Sequence, residues 1–410
     1  MPTPKLRFKD ENGQAFPEWI KVPFTNIADV RDGTHDSPKY HKYGFPLITS
    51  KNLSSSGKID FSNVNFISEN DYLNINKRSK VDIGDIIFGL IGTIGRPAIV
   101  QQEGFAIKNV ALIKPNVDLV NNKFLYQLIS SDTFNKLLEF LRSGGTQKFV
   151  SLGLLREMNF FLPELEEQHK IAEFLSAVDE KVEVLEKKLE ALNSLKKGFM
   201  QKIFSQELRF KDDSGCNFNE PWIGKKLNEL VSFKKGKILS KSHLSDNGVP
   251  CVLYGQLYTS YKEVISTVVS KTDYNSKGLV YSSGGEVLMP CSGETAEDIS
   301  RASYLPLSGV ALGGDLHILY PSKEISGNIL SYILNTVCKR HIARIAQGKT
   351  VVHTSSDSLG KIEIFFPKNL EEQRKIAEFL SAFDEKIEAV KRQVEAMKQV
   401  KKGLLQQMFV

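Results

Sequence analysis

Asp32, His35, Asp36 and His41 put two carboxylates and two imidazoles within ten residues. Such a set could hold a metal ion, but its spacing matches no standard ligand pattern, and a polar binding loop is the better reading. Gly89-x-x-Gly92-x-x-Gly95 is glycine-rich, yet it is not the GxGxxG cradle of a dinucleotide and reads as a strand-to-loop turn. No GxxxxGK[ST] loop occurs, so ATP use by this chain is not expected. A methyltransferase acting alone would need a glycine-rich cofactor loop and an Asn/Asp-Pro-Pro-aromatic loop, and neither is found. Asp179-Glu180-Lys181 and Asp384-Glu385-Lys386 resemble a nuclease fragment, but they fall on helical stretches and read as solvated faces.

Should the partner be a nucleic acid, the loops offer hydrogen-bonding residues. Arg, Lys, Asn and Gln read base edges, while Lys, Arg, Ser and Thr hold phosphates. In the first part of the chain the candidates are Thr34, His35, Lys39, Lys51, Asn52, Arg96, Lys108, Asn109, Gln147 and Lys148. In the third part they are Tyr254, Gln256, Tyr258, Ser292, Arg301, Lys349, Thr350 and His353. Two of the loops, Ser143–Lys148 and Gln347–Thr350, contain glycine and precede a last strand; glycine permits close backbone approach. Trp19 and Trp222 match in position and read as core anchors. The net charge is +6. Residues 164–204 hold 9 acids and 7 bases, and residues 368–410 hold 7 acids and 9 bases, so these stretches cancel. The positive excess therefore sits elsewhere, as suits a polyanion partner.

Those cancelling stretches organise the chain. Ile171, Leu175, Val178, Val182, Leu185, Leu189, Leu192, Phe199 and Ile203 alternate steps of four and three, a heptad seam interrupted only by Lys196. The same sequence returns 205 residues later, with Ile376, Leu380, Phe383, Ile387, Val390, Val394, Met397, Leu404 and Met408, and Lys401 as its interruption. Such a seam needs a partner helix, and the repeat supplies one. Acids open both helices. Asn369 with Glu372 resembles a capping box. Gly198 and Gly403 are not expected to end the helices, because the apolar pattern continues past them.

The intervening parts also repeat. Leu6-Arg7-Phe8-Lys9-Asp10 recurs as Leu208-Arg209-Phe210-Lys211-Asp212, and Pro17-Glu18-Trp19-Ile20 is echoed by Glu220-Pro221-Trp222-Ile223. Short β-rich runs such as FPLITS, GDIIFGLIG and VALIKPN lie among Gly, Asn, Asp and Pro clusters. Residues Asn121 to Leu141 have the spacing of one or two helices. The expected fold class is α+β. Two similar mixed α/β domains, 1–163 and 206–367, alternate with two long helices, 164–205 and 368–410, which pair as an antiparallel coiled coil with pseudo-twofold symmetry. Between their landmarks the two domains diverge, so one frame carries two sets of loops.

No run of about 18 apolar residues exists and the N-terminus lacks an apolar signal region, so no membrane segment is expected. Cys216, Cys251, Cys291 and Cys338 form no CxxC pair and read as free thiols of a reduced cytoplasm.

With LEEQHKIAEFLSAVDEKV and LEEQRKIAEFLSAFDEKI as the twin helices, the chain resembles the DNA-specificity subunit of a type I restriction–modification enzyme. Asp32-Gly33-Thr34-His35, Ser50-Lys51-Asn52-Leu53, Gly92-Thr93-Ile94-Gly95, Ser143-Gly144-Gly145-Thr146-Gln147 and Ser292-Gly293-Glu294-Thr295-Ala296-Glu297-Asp298 support the likeness, which covers essentially the whole chain. The resemblance implies two target-recognition domains, each reading one half-site of an asymmetric duplex target. It also implies spacer helices, two modification (methyltransferase) subunits and, for cleavage, two restriction (translocase/endonuclease) subunits. S-adenosylmethionine, ATP and Mg would be held by those partners and no cofactor by this chain. Against it stand a coiled-coil protein scaffold that reads no DNA and a stand-alone DNA-modifying enzyme. The missing cofactor loops oppose the second.

Overall fold

The structure, a computed structural model, describes residues 3–54, 56–142, 150–274, 277–348 and 351–410. The chain divides into two compact units, Met1–Lys188 with Val390–Val410, and Leu189–Ala389.

The first unit is built on a four-stranded antiparallel sheet in the order Ala28–Asp32, Val110–Pro115, Ile86–Gly89, Gly95–Ile99. Ile86–Gly89 is buried throughout, as its unbroken apolar run requires. A three-stranded sheet joins Asn65–Ile67, Phe45–Ile48 and Ala106–Ile107, the last pair parallel. Ile20–Pro23 pairs with Asn159–Leu162 just before the first long helix. The stretch Asn121–Leu141 gives two helices, Asn122–Ser130 and Asp132–Arg142. Ser131 separates them, its hydroxyl accepting the amide of Phe134 at 3.1 Å. Trp19, Phe24, Phe88, Phe124, Phe134 and Phe160 fill the core, joined by Leu405, Met408 and Phe409 from the end of the second long helix.

The second unit repeats this plan. Its antiparallel sheet runs Val231–Lys235, Leu316–Pro321, Glu286–Pro290, Ser303–Leu305. A second sheet runs Ser270–Thr272, Val249–Val252, Ser308–Leu312, Val280–Ser283, again with one parallel pair. Trp222–Lys226 pairs with Glu363–Pro367.

The long helices are Leu165–Phe204 and Leu370–Met408, continuous through Gly198 and Gly403. Of the seam residues, Ile171, Leu175, Ile203, Ile376, Leu380, Ile387, Val390, Val394 and Met408 are buried. Val178, Val182, Leu185, Leu189, Leu192, Phe199, Phe383, Met397 and Leu404 are half-buried. Within the first unit Asp179 pairs with Lys401 at 2.6 Å and Glu186 with Lys398 at 2.8 Å. Numbers rise along one helix as they fall along the other, so the packing is antiparallel. Within the second unit Lys196 meets Asp384 at 2.6 Å, and the Phe199 ring packs on Phe379 and Phe383 with centroids 5.2 and 5.5 Å away.

Three features differ from the sequence reading. Asp179 and Asp384 are not merely solvated helix surface, because each binds the lysine that interrupts the opposite seam. Gln127 donates to Asp179 at 2.7 Å, and Tyr332 donates to Asp384 at 2.7 Å. A charge inside an apolar seam is tolerable only when paired and hydrogen-bonded, so the two interruptions occur where a carboxylate waits. Second, the Asn369–Glu372 capping box does not form. Asn369 caps the amide of Glu371, whereas the Glu372 carboxylate is buried and accepts from both nitrogens of the Arg209 fork, at 2.9 and 2.7 Å, and from the Trp222 indole at 3.3 Å. Glu167 does the same with Arg7, at 2.9 and 2.6 Å, and Trp19, at 3.1 Å. Third, the tryptophans are therefore more than apolar anchors, since each indole N–H finds a carboxylate. Beside these, the Gln168 and Gln373 side chains accept the amides of Asn121 and Ser326. The Glu-Gln pair of each LEEQ motif thus fastens a long helix to the globular part of its own unit.

Candidate nucleic-acid interface

The first unit presents a loop, residues 33–38, that leaves strand Ala28–Asp32 and lies across residues 107–110. Gly33 donates to Val110, Thr34 to Ile107, and Asn109 back to Thr34, at 3.0, 3.0 and 3.2 Å. A side chain at Gly33 would put its Cβ 2.5 Å from the Ile107 carbonyl oxygen, so glycine is required there. Asn109 is left-handed, with φ 56°, a conformation asparagine tolerates. That turn brings its side-chain oxygen 2.9 Å from Nδ1 of His35, whose Nε2 lies 3.1 Å from the Asp32 carboxylate. Arg78, at the end of helix Glu69–Ser79, binds the same Asp32 carboxylate while staying 71% exposed. The loop and Asp71, Asn74, Ile75, Arg78 and Ser79 enclose a cavity of about 580 Å³.

The second unit holds the counterpart. Gly236 donates to Leu316 at 3.0 Å, as Gly33 does to Val110, and Asp315 is left-handed at φ 56°, as Asn109 is. Here a cavity of about 610 Å³ is lined by Ile238, Lys241, Tyr254, Tyr258, Glu294 and Asp315 among others. Burial, with the neighbouring phenol of Tyr254 and the carboxylates of Asp298 and Glu294, pushes the Tyr258 hydroxyl up, so at neutral pH it remains a hydrogen-bond donor.

The structure thus brings Thr34 and His35 onto one cavity, with Asn109 bonded to His35, and Tyr254, Gln256 and Tyr258 onto the other. Lys39, Lys51 and Arg96 are exposed elsewhere in the first unit. Three candidates make hydrogen bonds within the protein. Asn52 is buried, and its side-chain oxygen accepts the Thr49 amide while its nitrogen donates to the Asp60 and Asn63 carbonyls. Gln256 occupies the equivalent place, accepting the Leu253 amide at 2.9 Å and donating to Ser270. The Asn52 amide is consumed inside the protein, whereas Gln256 is half-buried on the wall of the second cavity. Lys108 is buried, its ammonium on the Ser37 hydroxyl at 2.6 Å, which ties it to the loop. Ser292 is also buried and pairs with His353 in a two-stranded ladder, while His353 exchanges backbone bonds with Gln347. Arg301 is half-buried and helps hold the Glu263 carboxylate low. None of these three reaches the cavity of Tyr254. Gln147, Lys148, Lys349 and Thr350 lie outside the described residues.

The sequence reading passed over Arg78 and Asn74, which face Thr34 and His35, and the exposed lysines 234, 235, 237 and 241 around Gly236. Four lysines in eight residues next to a loop glycine were a legible signal. Exposed cations beside donors, acceptors and aromatic faces are the means by which proteins hold phosphates and read base edges.

The family model for the type I restriction modification DNA specificity domain matches residues 42–194 and 219–399. The chain is similar to the putative type I restriction enzyme MjaX specificity subunit of Methanocaldococcus jannaschii, at 25% identity over 97% of this chain and 94% of that protein. It is similar also to the MjaVIII specificity subunit of the same organism, at 26% identity over 80% and 79%. The crystal structure of the type I restriction–modification S subunit from M. genitalium shares the fold, with a TM-score of 0.64 at 18% identity over 100% of this chain and 99% of that one. With one match in each half of its sequence, the chain belongs to the type I restriction–modification DNA-specificity family.

Proposed function

We propose that this specificity subunit reads a bipartite, asymmetric duplex target, one half-site per unit. The observation that carries this reading is a shared frame with unlike contents. Gly33 and Gly236 make the same backbone bond, Asn109 and Asp315 the same turn, and Asn52 and Gln256 the same staple. On that frame Thr34-His35-Asp36 stands against Lys237-Ile238-Leu239. One scaffold bearing different donors, acceptors and apolar groups at equivalent places is what two different half-sites call for. The chemistry belongs to partners: two modification subunits with S-adenosylmethionine and, for cleavage, two restriction subunits with ATP and Mg. The complex would work in the cytoplasm. No described helix is long and apolar enough to cross a membrane.

The purified chain is expected to leave its target DNA unmethylated and uncut until the modification partner is added. Incorporation of labelled methyl groups into DNA measures this. Turnover of S-adenosylmethionine by the chain alone would contradict the reading.

A further inference from the structure

Ile238 is the one β-branched residue with positive φ among the described residues, at 64°. Its neighbours close a three-residue turn, the Leu239 amide donating to the Lys237 carbonyl at 2.7 Å. A γ-turn with positive φ is rare and strained, and for a β-branched residue such as isoleucine a positive φ is a true outlier. Burial does not compensate for this, because the side chain is 50% exposed. What holds it is the next residue. Leu239 is buried, and its carbonyl accepts the Gly314 amide at 2.9 Å. The fold thus fixes the chain on both sides of Ile238 and projects an apolar tip into solvent. Strain that the surroundings enforce is characteristic of functional sites.

The surroundings say what the tip meets. Lys235, Lys237 and Lys241, all exposed, bracket it and suit phosphates on either side of a groove. Asp315 and Glu294 lie on the same cavity. Carboxylates are unwelcome in the strongly negative minor groove, but in the major groove they accept from cytosine amino groups. The apolar feature of the major groove is the thymine 5-methyl. In the first unit the same position is His35, tied by two hydrogen bonds, so the apolar tip is particular to the second.

We propose that Ile238 is a specificity-determining residue of the second unit, reading a thymine by contact with its 5-methyl group in the major groove. The assignment rests on the reading of one half-site per unit.

The test uses the chain in complex with its modification subunit and duplexes carrying the motif found by methylation mapping. Each thymine of the second half-site is replaced in turn by deoxyuridine, which removes only the methyl. One replacement is expected to weaken binding about fourfold, the value of one buried methyl group. Ile238→Gly and Ile238→Asn, both more tolerant of a positive φ than isoleucine, are expected to bind thymine and uracil equally there. Their melting temperature should be unchanged or higher, and their response to changes in the first half-site normal. A wild-type complex indifferent at every thymine, a second half-site without thymine, or variants that keep the preference would overturn the assignment. Failure of the wild-type complex to bind any mapped motif would overturn the one-half-site reading itself, and the assignment with it.

Discussion

Replacing Lys196 with alanine is expected to destabilise the protein by about 3–5 kcal/mol, the cost of removing one partner from a buried ion pair. The ammonium lies 2.7 Å from Glu263 and 2.6 Å from Asp384, with side-chain exposures of 8%, 12% and 16%. One cation serves two carboxylates, and their environments divide it unequally. At Asp384 burial prevails over the lysine and pushes the carboxyl up, with Glu263 adding repulsion. At Glu263 burial opposes ionisation, but the attraction of Lys196, its hydrogen bond and Arg301 together keep the group low. Without Lys196 both carboxylates would lose their ion-pair partner. Their folded-state pKa values would then rise above the unfolded range of about 3.9–4.3, so the folded variant would bind more protons than the unfolded one. Its stability would increase as pH falls, and the defect at pH 7 should shrink towards pH 5. The equivalent Lys401–Asp179 pair is more open, at 18% and 35% exposure, and Lys401→Ala should cost about 1 kcal/mol or less. Urea unfolding of both variants at the two pH values measures this. Equal losses, or a Lys196 defect that deepens in acid, would show that the seam lysine does not act as the partner of two buried carboxylates.

Much of this was legible because it depends on period and repetition. The heptad seam and its copy 205 residues on gave both long helices and their need for a partner, since a stripe of apolar residues permits few other solutions. Strand Ile86–Gly89 was visible as an unbroken apolar run between turn residues. What the sequence hid were polar residues with structural duties. Glu167 and Glu372 look like helix-dipole acids, yet each is closed over by an arginine and a tryptophan about 150–165 residues earlier, a distance no local rule spans. Asn52 and Gln256 have the right chemistry to read a base, but the same amide chemistry lets them staple a turn, and the sequence does not show which hydrogen bonds they make. Arg78 lies far in sequence from the loop it supports. Ile238 was missed for the opposite reason: exposed apolar residues are ordinary, and only its backbone conformation marks it.

Exchanging one unit whole is expected to rewrite one half-site and leave the other untouched. The structure says which residues must travel together. Residues 1–163 alone would not suffice, because Leu405, Met408 and Phe409 belong to the same core as Trp19 and Phe124, Leu6 donates to the Gln407 carbonyl at 3.0 Å, and Glu167 is held by Arg7. The exchange should therefore carry residues 1–188 together with 390–410, taken from a relative with a different target. Thr34, His35, Asn109 and Arg78 would be replaced as a set, while Lys237, Ile238, Tyr254 and Tyr258 would stay. The most direct measurement is the methylated motif, mapped genome-wide in a host expressing the exchanged chain with its modification subunit. The account predicts a motif with one new half-site and one original half-site. A motif in which both half-sites change, or neither does, would contradict the claim that each unit reads its own part of the target.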